Sequence, residues 1–231
     1  MKWVTLNSGR DVSLGRGSIL MSPRCCPHKD ALVMIICEAP NERNYFAVMA
    51  LTGENAGVNC FASMPHHVFN DGALLAGKIH DNWHSWFDLQ GNSKEISFAC
   101  HVCPDGIGTG LYAEDIKQST KGWLRLSKNK ATTLPRGALI RFTASYPFES
   151  EVVMMVCDAP HDSKRLGLIT ISGYKAGINC YVAFPDEFHV LENHELRSDL
   201  LYENWQNWVW PEGSPDNAWI LPKGLSADDL K

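Results

Sequence analysis

The sequence lacks the features that mark several large classes of protein. No stretch approaches the roughly 18 consecutive apolar residues of a membrane helix. Met1–Thr5 leads directly into polar residues rather than into the apolar run of a signal peptide. Positive charge is not in excess, because the formal net charge is −5, and this argues against general nucleic-acid binding. We therefore expect a cytoplasmic protein with neither a membrane nor a nucleic acid as partner.

Nucleotide-binding and hydrolytic signatures are also missing. The sequence has no phosphate loop of the form G-x-x-x-x-G-K-[ST], no dinucleotide G-x-G-x-x-G after a strand, no G-x-S-x-G and no H-E-x-x-H. Gly106–Gly110 is rich in glycine but lacks the lysine and the following helix of a phosphate loop. We expect no cofactor and a protein that is not an enzyme.

What the sequence does contain is a long internal repeat. Ala56–Cys60 (Ala-Gly-Val-Asn-Cys) returns 120 residues later as Ala176–Cys180 (Ala-Gly-Ile-Asn-Cys). At the same spacing, 17 of the 63 positions from Trp3 to Pro65 are identical to their counterparts. Farther along, the spacing becomes 122 residues. This pattern predicts a tandem duplication, which changes the expected number of domains.

Each unit is predicted to belong to the α+β class. The apolar runs Ala31–Cys37 and Val152–Cys157 are typical of central strands that are buried on both faces. We predict two tandem units, each a mostly antiparallel sheet of about five strands with a C-terminal helix packed on it. The predicted bounds are 1–90 for the first unit, 91–121 for a connector, 122–210 for the second unit and 211–231 for a tail.

The predicted helices carry paired tryptophans. Leu75, Ile79, Trp83 and Trp86 fall on one face of a helix. Leu201, Trp205 and Trp208 repeat the last part of that stripe. Because tryptophan is highly buried on average, the stripe predicts helices docked on the sheets by these side chains.

Eight cysteines are present, and four of them occupy matched positions in the two units. Cys37 matches Cys157, and Cys60 matches Cys180, which predicts small buried residues that stay reduced. Cys100 and Cys103 form a C-x-x-C pair, which supplies half of the four ligands of a structural zinc site. A scaffold stabilised by metal through this pair is one alternative interpretation.

An enzyme is the second alternative. Cys60 follows a glycine-containing turn, and His67 lies close to it in sequence, so the pair has the residue types of a nucleophile and its base. This predicts a cysteine-dependent or metal-dependent hydrolase with its site at Cys60 and His67 or between the two repeats. His80 and His84 have the i, i+4 spacing of two metal ligands on a helix. The second unit has other residue types at their positions, which makes exposed polar side chains the simpler interpretation.

The duplicated pattern resembles a known family of proteins. Each unit begins with Trp-x-x-Leu, continues with an apolar strand that ends in Cys-acidic-Ala-Pro, and has a Gly-x-x-Ala-Gly-x-Asn-Cys strand followed by Asn-Trp-x-x-Trp. This resembles small α+β immunity proteins of bacterial polymorphic-toxin systems, some of which begin with Trp and carry Pro-Arg after the second strand. Pro23-Arg24 stands at that place in the first unit, and Thr143-Ala144 replaces it in the second.

The resemblance implies a cytosolic protein that binds and neutralises a cognate toxin. Such proteins commonly occlude the active cleft of the toxin without catalysing a reaction. Their surfaces are often acidic because nuclease toxins present basic clefts, and charge complementarity speeds association. The net charge of −5 fits a partner with a basic active cleft.

The partner-binding residues are expected outside the repeated core. Aromatic anchors dominate many interfaces, and acidic residues suit a basic partner. The candidates in and beside the predicted tail are Trp210, Trp219, Glu212 and Asp216. No catalytic, cofactor-binding or metal-binding residue is predicted.

Overall fold

A computed structural model of the chain describes most of its residues. The described residues are 2–23, 31–39, 46–58, 62–64, 73–87, 92–102, 107–119, 121–145, 148–159, 162–178, 182–190 and 194–230.

Short strands and two helices make up the described part of the first half. They are β1 Val4–Thr5, β2 Ser13–Leu14, β3 Ile19–Ser22, β4 Leu32–Glu38, β5 Phe46–Ala50, β6 Ala62–Ser63, β7 Leu74–Leu75, α1 Ala76–Trp86, β8 Ser97–Ala99, β9 His101–Val102, β10 Ile107–Thr109 and α2 Ala113–Ser119.

The second half repeats much of this order with longer central strands. Its elements are β11 Leu124–Arg125, β12 Thr133–Pro135, β13 Leu139–Thr143, β14 Glu151–Ala159, β15 Asp162–Thr170, β16 Val182–Ala183, β17 His189–Val190, β18 Glu195–Arg197, α3 Ser198–Glu203, α4 Trp205–Trp208 and β19 Ala218–Leu221. Single 3₁₀ turns lie at Ser93–Glu95, Leu126–Lys128, Asp186–Phe188, Pro215–Asn217 and Ala227–Leu230.

Two antiparallel sheets with the same strand order carry the two halves. The first sheet runs β1-β8-β3-β4-β5-β6 and the second runs β11-β19-β13-β14-β15-β16. The registers agree as well, since Leu20 pairs with Met34 and Ile140 pairs with Met154 at the same spacing of 120 residues. Two smaller sheets accompany them, in the orders β7-β2-β10-β9 and β12-β18-β17. The predicted α+β class with antiparallel sheets is confirmed.

Each large sheet includes a strand from a segment that the sequence assigns to the connector or to the tail. β8 lies between β1 and β3, and β19 takes the same place between β11 and β13. The 3₁₀ turns Ser93–Glu95 and Pro215–Asn217 precede them. These segments therefore complete the sheets rather than running between them or beyond them.

The apolar runs of the central strands are explained by burial on both faces. Along β4, Val33, Ile35 and Cys37 lie in a central core between the two sheets, whereas Met34 and Ile36 face an outer core. Strand side chains alternate between the two faces of a sheet, so a strand that is covered on both sides must be apolar throughout. Cys37 and its counterpart Cys157 are fully buried, as predicted.

The central core joins the two halves. It contains Ile35 and Met49 from the first sheet and Met155 and Ile169 from the second, all fully buried. Each half also has an outer core of its own beneath its helices. The side chains that dock these helices are Ile79 and Trp83 in the first half and Leu201 and Trp205 in the second. Trp86 and Trp208 are partly buried against the same outer cores, whereas Leu75 of the predicted stripe is 42% exposed because it precedes the helix in β7.

Two segments cross from one half to the other. Leu111, which follows the first sheet, makes a parallel bridge with Ser172 of the second half. Leu225, which follows the second sheet, makes the same kind of bridge with Thr52 of the first half. Both leucines are buried in the central core, so the exchange is reciprocal.

Among the described residues, no helix combines the length and the apolar character needed to cross a membrane.

Candidate partner-binding site

The repeated Ala-Gly motif forms the junction between the two halves. The amide of Glu38 donates to the carbonyl oxygen of Gly177 at 2.8 Å, and the amide of Asp158 donates to that of Gly57 at 2.9 Å. The contact is therefore made twice, with the roles of the halves exchanged. Such reciprocity is the property of a twofold interface between identical subunits.

Glycine is required at the centre of this junction. A Cβ atom on Gly177 would lie 2.5 Å from the carbonyl oxygen of Ile36 and 2.6 Å from Cγ of Arg16. A Cβ atom on Gly57 would overlap the carbonyl oxygen of Val156 in the same way. Both glycines also have positive φ angles, 78° and 75°, which side chains disfavour. The motif is repeated because each half needs it to approach the other.

Ion pairs flank the junction on both sides. The guanidinium of Arg16 pairs with Glu38, and Nη1 of Arg136 lies 3.3 Å from Oδ2 of Asp158. The two pairs differ in burial, since the Asp158 side chain is 7% exposed and that of Glu38 is 37% exposed. Nε2 of His194 also lies 3.3 Å from Oδ1 of Asp158. The second ion pair therefore has a third member, and its carboxylate is more buried than that of the first pair.

Trp219 is held in place by two arginines. The guanidinium of Arg141 lies 4.7 Å from the ring centroid of Trp219 and 4.9 Å from that of Trp123, and Arg125 approaches Trp219 at 5.8 Å. Burial lowers the pKa of Arg141 from its ordinary value, and the nearby Glu151 opposes that change. These cation–π contacts fix the half-buried ring of Trp219 in one orientation.

The acidic candidates Asp216 and Glu212 both lie at the surface. Asp216 is exposed and accepts a hydrogen bond from the hydroxyl of Tyr202 at 3.0 Å. Glu212 is also exposed, and its Oε2 lies 3.0 Å from the hydroxyl of Ser145. Trp210 is placed differently, because it is only 9% exposed and packs edge-on against Phe148 in the outer core. The structure thus places Trp219, Glu212 and Asp216 at the surface and Trp210 beneath it.

A second group of exposed aromatic residues was missed by sequence reasoning. Tyr112 and Tyr174 are 47% and 49% exposed. The amide of Gly173 donates to the carbonyl oxygen of Leu111 at 2.6 Å, so the two tyrosines follow residues that are directly bonded. Neither position repeats between the halves, and only the crossing of Leu111 brings them to the same region.

The residues of the alternative interpretations are only partly described. Cys60, Cys180, His67 and Cys103 lie outside the described residues. Cys100 is half-buried, and burial raises the pKa of its thiol. Within the described ranges, no group of three or more His, Cys, Asp or Glu side chains could hold a metal ion.

The helical histidine pair is also resolved into separate environments. Nδ1 of His80 lies 3.0 Å from Oδ1 of Asp81 and 3.1 Å from Nη1 of Arg10. His84 is exposed one turn later. His80 thus contacts both members of a surface ion pair between Arg10 and Asp81. The carboxyl pKa of Asp81 falls to about 2, chiefly because Arg10 donates a hydrogen bond to it.

His189 is a buried acceptor in the second half. Its Nε2 accepts a hydrogen bond from the amide of Leu166 at 3.1 Å, and only 8% of the residue is exposed. Burial, with the nearby His194, lowers the pKa of His189 below its ordinary value. A ring nitrogen that accepts a hydrogen bond carries no proton, so the contact with Leu166 and the burial both fit a neutral imidazole.

Most of the second half is similar to a known family of proteins. Residues 126–220 match the family model described as Immunity protein 45. This confirms the resemblance to immunity proteins for that part of the chain, which contains Trp210, Glu212, Asp216 and Trp219. The match covers one of the two halves and does not test the tandem copy. None of the curated proteins and none of the solved structures matches the chain.

Proposed function

We propose that the protein binds and neutralises a cognate bacterial toxin by occluding its active cleft, without catalysis. The observation that carries this proposal is the match of residues 126–220 to Immunity protein 45. The positions of the repeated residues also support it. Among the described repeated residues, Gly57 and Gly177 serve to join the two halves.

The proposed binding surface, called the Trp219 surface, consists of Glu212, Asp216 and Trp219. The Trp219 ring is held by Arg125 and Arg141, so it loses little conformational entropy when a partner packs on it. The two exposed carboxylates suit a toxin with a basic active cleft. Trp210 lies in the outer core, where it packs edge-on against Phe148.

The test is binding of the purified protein to its toxin, identified as the product of an adjacent reading frame with a variable C-terminal toxin region. The Glu212→Lys and Trp219→Ala variants are each expected to weaken binding by at least about tenfold, as buried anchors and complementary charges do. Calorimetric titration gives the affinity, and growth of cells that express the toxin gives protection.

A matched control separates the surface from the overall charge. Glu95 is exposed in the 3₁₀ turn Ser93–Glu95, which corresponds to Pro215–Asn217 in the second half. Glu95→Lys changes the net charge as Glu212→Lys does and is expected to leave affinity within about twofold. Equal losses of affinity in Glu95→Lys and Glu212→Lys would show that the partner docks elsewhere. The same conclusion would follow if Glu212→Lys and Trp219→Ala both bound fully and only Tyr112→Ala or Tyr174→Ala lost affinity.

A further inference from the structure

Two corresponding loops of the molecule differ in what lies against them. The loops are Gly53–Gly57 in the first half and Gly173–Gly177 in the second, and both begin and end with glycines of positive φ. In the second loop, the amide of Tyr174 donates to Oε1 of Glu149 at 2.6 Å. The Glu149 carboxylate covers Gly173 so closely that a Cβ atom on that glycine would overlap it. This loop is therefore an occupied carboxylate site within the protein itself.

The first loop has no such occupant among the described residues. A Cβ atom on Gly53 would meet nothing within 4 Å. The amide of Glu54, which corresponds to that of Tyr174, has no acceptor in the described part of the chain. At the spacing of 120 residues, the sequence counterpart of Glu149 is Lys29, a residue of opposite charge that lies outside the described ranges.

A cavity of about 640 Å³ opens beside this first loop. It is lined by Gly53 and Ala56 of the loop, by Arg136 of the second half, and by Lys223 and Gly224 of the crossing segment. Cavities of this size hold small organic ligands or an inserted side chain. The space is thus far larger than the single carboxylate that fills the counterpart loop.

The cavity carries fixed positive charge. Arg136 is anchored by Asp158, and its Nε is buried with no partner among the described residues. Lys223 is exposed at the rim, as is Asp228, whose negative charge opposes it. An anion that enters can therefore meet two cationic side chains, provided that it stays clear of Asp228.

We propose that this cavity binds a carboxylate group, which accepts from the amide of Glu54 as Glu149 accepts from Tyr174 in the other half. Arg136 and Lys223 supply the countercharge, since charge-assisted hydrogen bonds are the stronger kind. The carboxylate belongs either to a small organic acid or to an acidic side chain of a protein partner. Binding of a small acid does not depend on the immunity function and is measured without a toxin.

The experiment is titration of the ¹⁵N-labelled full-length protein with succinate, followed by amide chemical shifts at constant ionic strength. Saturable shifts are expected at Gly53, Glu54 and Gly224, with a dissociation constant on the order of 1 mM because the contacts are few. Lys223→Glu is expected to weaken binding by about tenfold, because it replaces an attractive charge by a repulsive one. Lys94→Glu, an exposed charge reversal that does not line the cavity, is the control and should leave the affinity unchanged.

A second variant tests the correspondence between the loops. Glu149→Ala removes the internal carboxylate, so the amide of Tyr174 should begin to respond to succinate while the wild-type amide does not. If the amide of Glu54 does not shift, or if Lys223→Glu and Lys94→Glu bind succinate equally, the cavity is not a carboxylate site. Toxin that displaces succinate assigns the site to an acidic side chain of the partner, and toxin that binds beside succinate assigns it to a free small acid.

Discussion

The two halves build sheets with the same strand order but carry different side chains at corresponding positions. At paired positions of the second sheet stand Arg141 and Trp219, whereas the corresponding pair in the first sheet is Met21 and Ser97. Gly57 and Gly177, which agree between the halves, bring the halves together. The comparison teaches that part of the repeat serves to join the halves, and that the differing residues are the ones to test for a partner.

The most severe way to break the comparison is to separate the halves. Residues 1–120 and 121–231, produced as separate chains, are each expected to be insoluble or unfolded, because each exposes its side of the central core. Produced together, they are expected to form a soluble 1:1 complex. Solubility and sedimentation give the result. A half that folds as a stable monomer would show that the central core is dispensable.

The next largest effect is expected at the junction glycines. Gly57→Ala and Gly177→Ala should each destabilise the protein by at least about 3 kcal/mol, since a methyl group meets backbone of the other half and φ is positive. Urea unfolding measures the loss, and similar values at the two sites would show that the halves contribute equally.

Gly53 offers the control for these two glycines. Its φ is also positive, 80°, but a methyl group there meets nothing within 4 Å. Gly53→Ala should therefore cost only about 1 kcal/mol, the conformational part alone. A cost equal to that of Gly57→Ala would mean that backbone strain, and not the contact between the halves, explains the repeated glycine.

The flanking ion pairs should respond unequally. Asp158→Asn is expected to cost about 2–3 kcal/mol, because it leaves Arg136 without its charged partner in a largely buried setting. Glu38→Gln, with a carboxylate more than one third exposed, should cost less than about 1 kcal/mol. Thermal unfolding of the two isosteric variants compares them directly, and equal losses would contradict the difference in burial.

The smallest effect concerns the acid stability of the second half. Burial lowers the folded-state pKa of His189 below its ordinary 6.5, so the unfolded chain takes up more protons below that pH. Its contribution to stability is complete above about pH 6.5 and is lost as the pH falls through that value toward the lowered folded-state pKa. His189→Gln should flatten the fall in melting temperature, whereas Gln at the exposed His84 should not.

Much of this frame could be predicted from the sequence, because strand burial is written in local patterns. The run Leu32–Glu38 alternates between two cores and must be apolar, and the helix stripe fixes Ile79 and Trp83. The pairing of the halves could not be predicted in this way. The atoms that exclude a side chain at Gly57 belong to Val156, which is about 100 residues away in sequence.

The crossing segments show where pattern searching failed. Gly110–Ile116 reads Gly-Leu-Tyr-Ala-Glu-Asp-Ile, and Gly224–Leu230 reads Gly-Leu-Ser-Ala-Asp-Asp-Leu, at a spacing of 114 residues rather than 120 or 122. Loops of unequal length had hidden this part of the repeat. We propose that the two units extend through these segments, to about residue 119 and residue 230.

The site was harder to predict than the frame. Counting aromatic residues outside the repeat found Trp219 but could not say that Trp210 turns inward onto Phe148. It also passed over Tyr112 and Tyr174, whose nearness depends on a bond between distant loops. Whether a single side chain faces the core or the surface depends on tertiary contacts, which a local sequence pattern does not contain.

The exchange of Leu111 and Leu225 also bears on how fast the molecule can assemble. The bridge between Thr52 and Leu225 closes a loop that spans most of the chain. The conformational entropy of that loop must be lost before the contact contributes any stability. Chains dominated by such distant pairings fold slowly, in roughly milliseconds to seconds. During that interval the open sheet edges are exposed to other chains, so crowding at synthesis should favour mispaired oligomers over the native form.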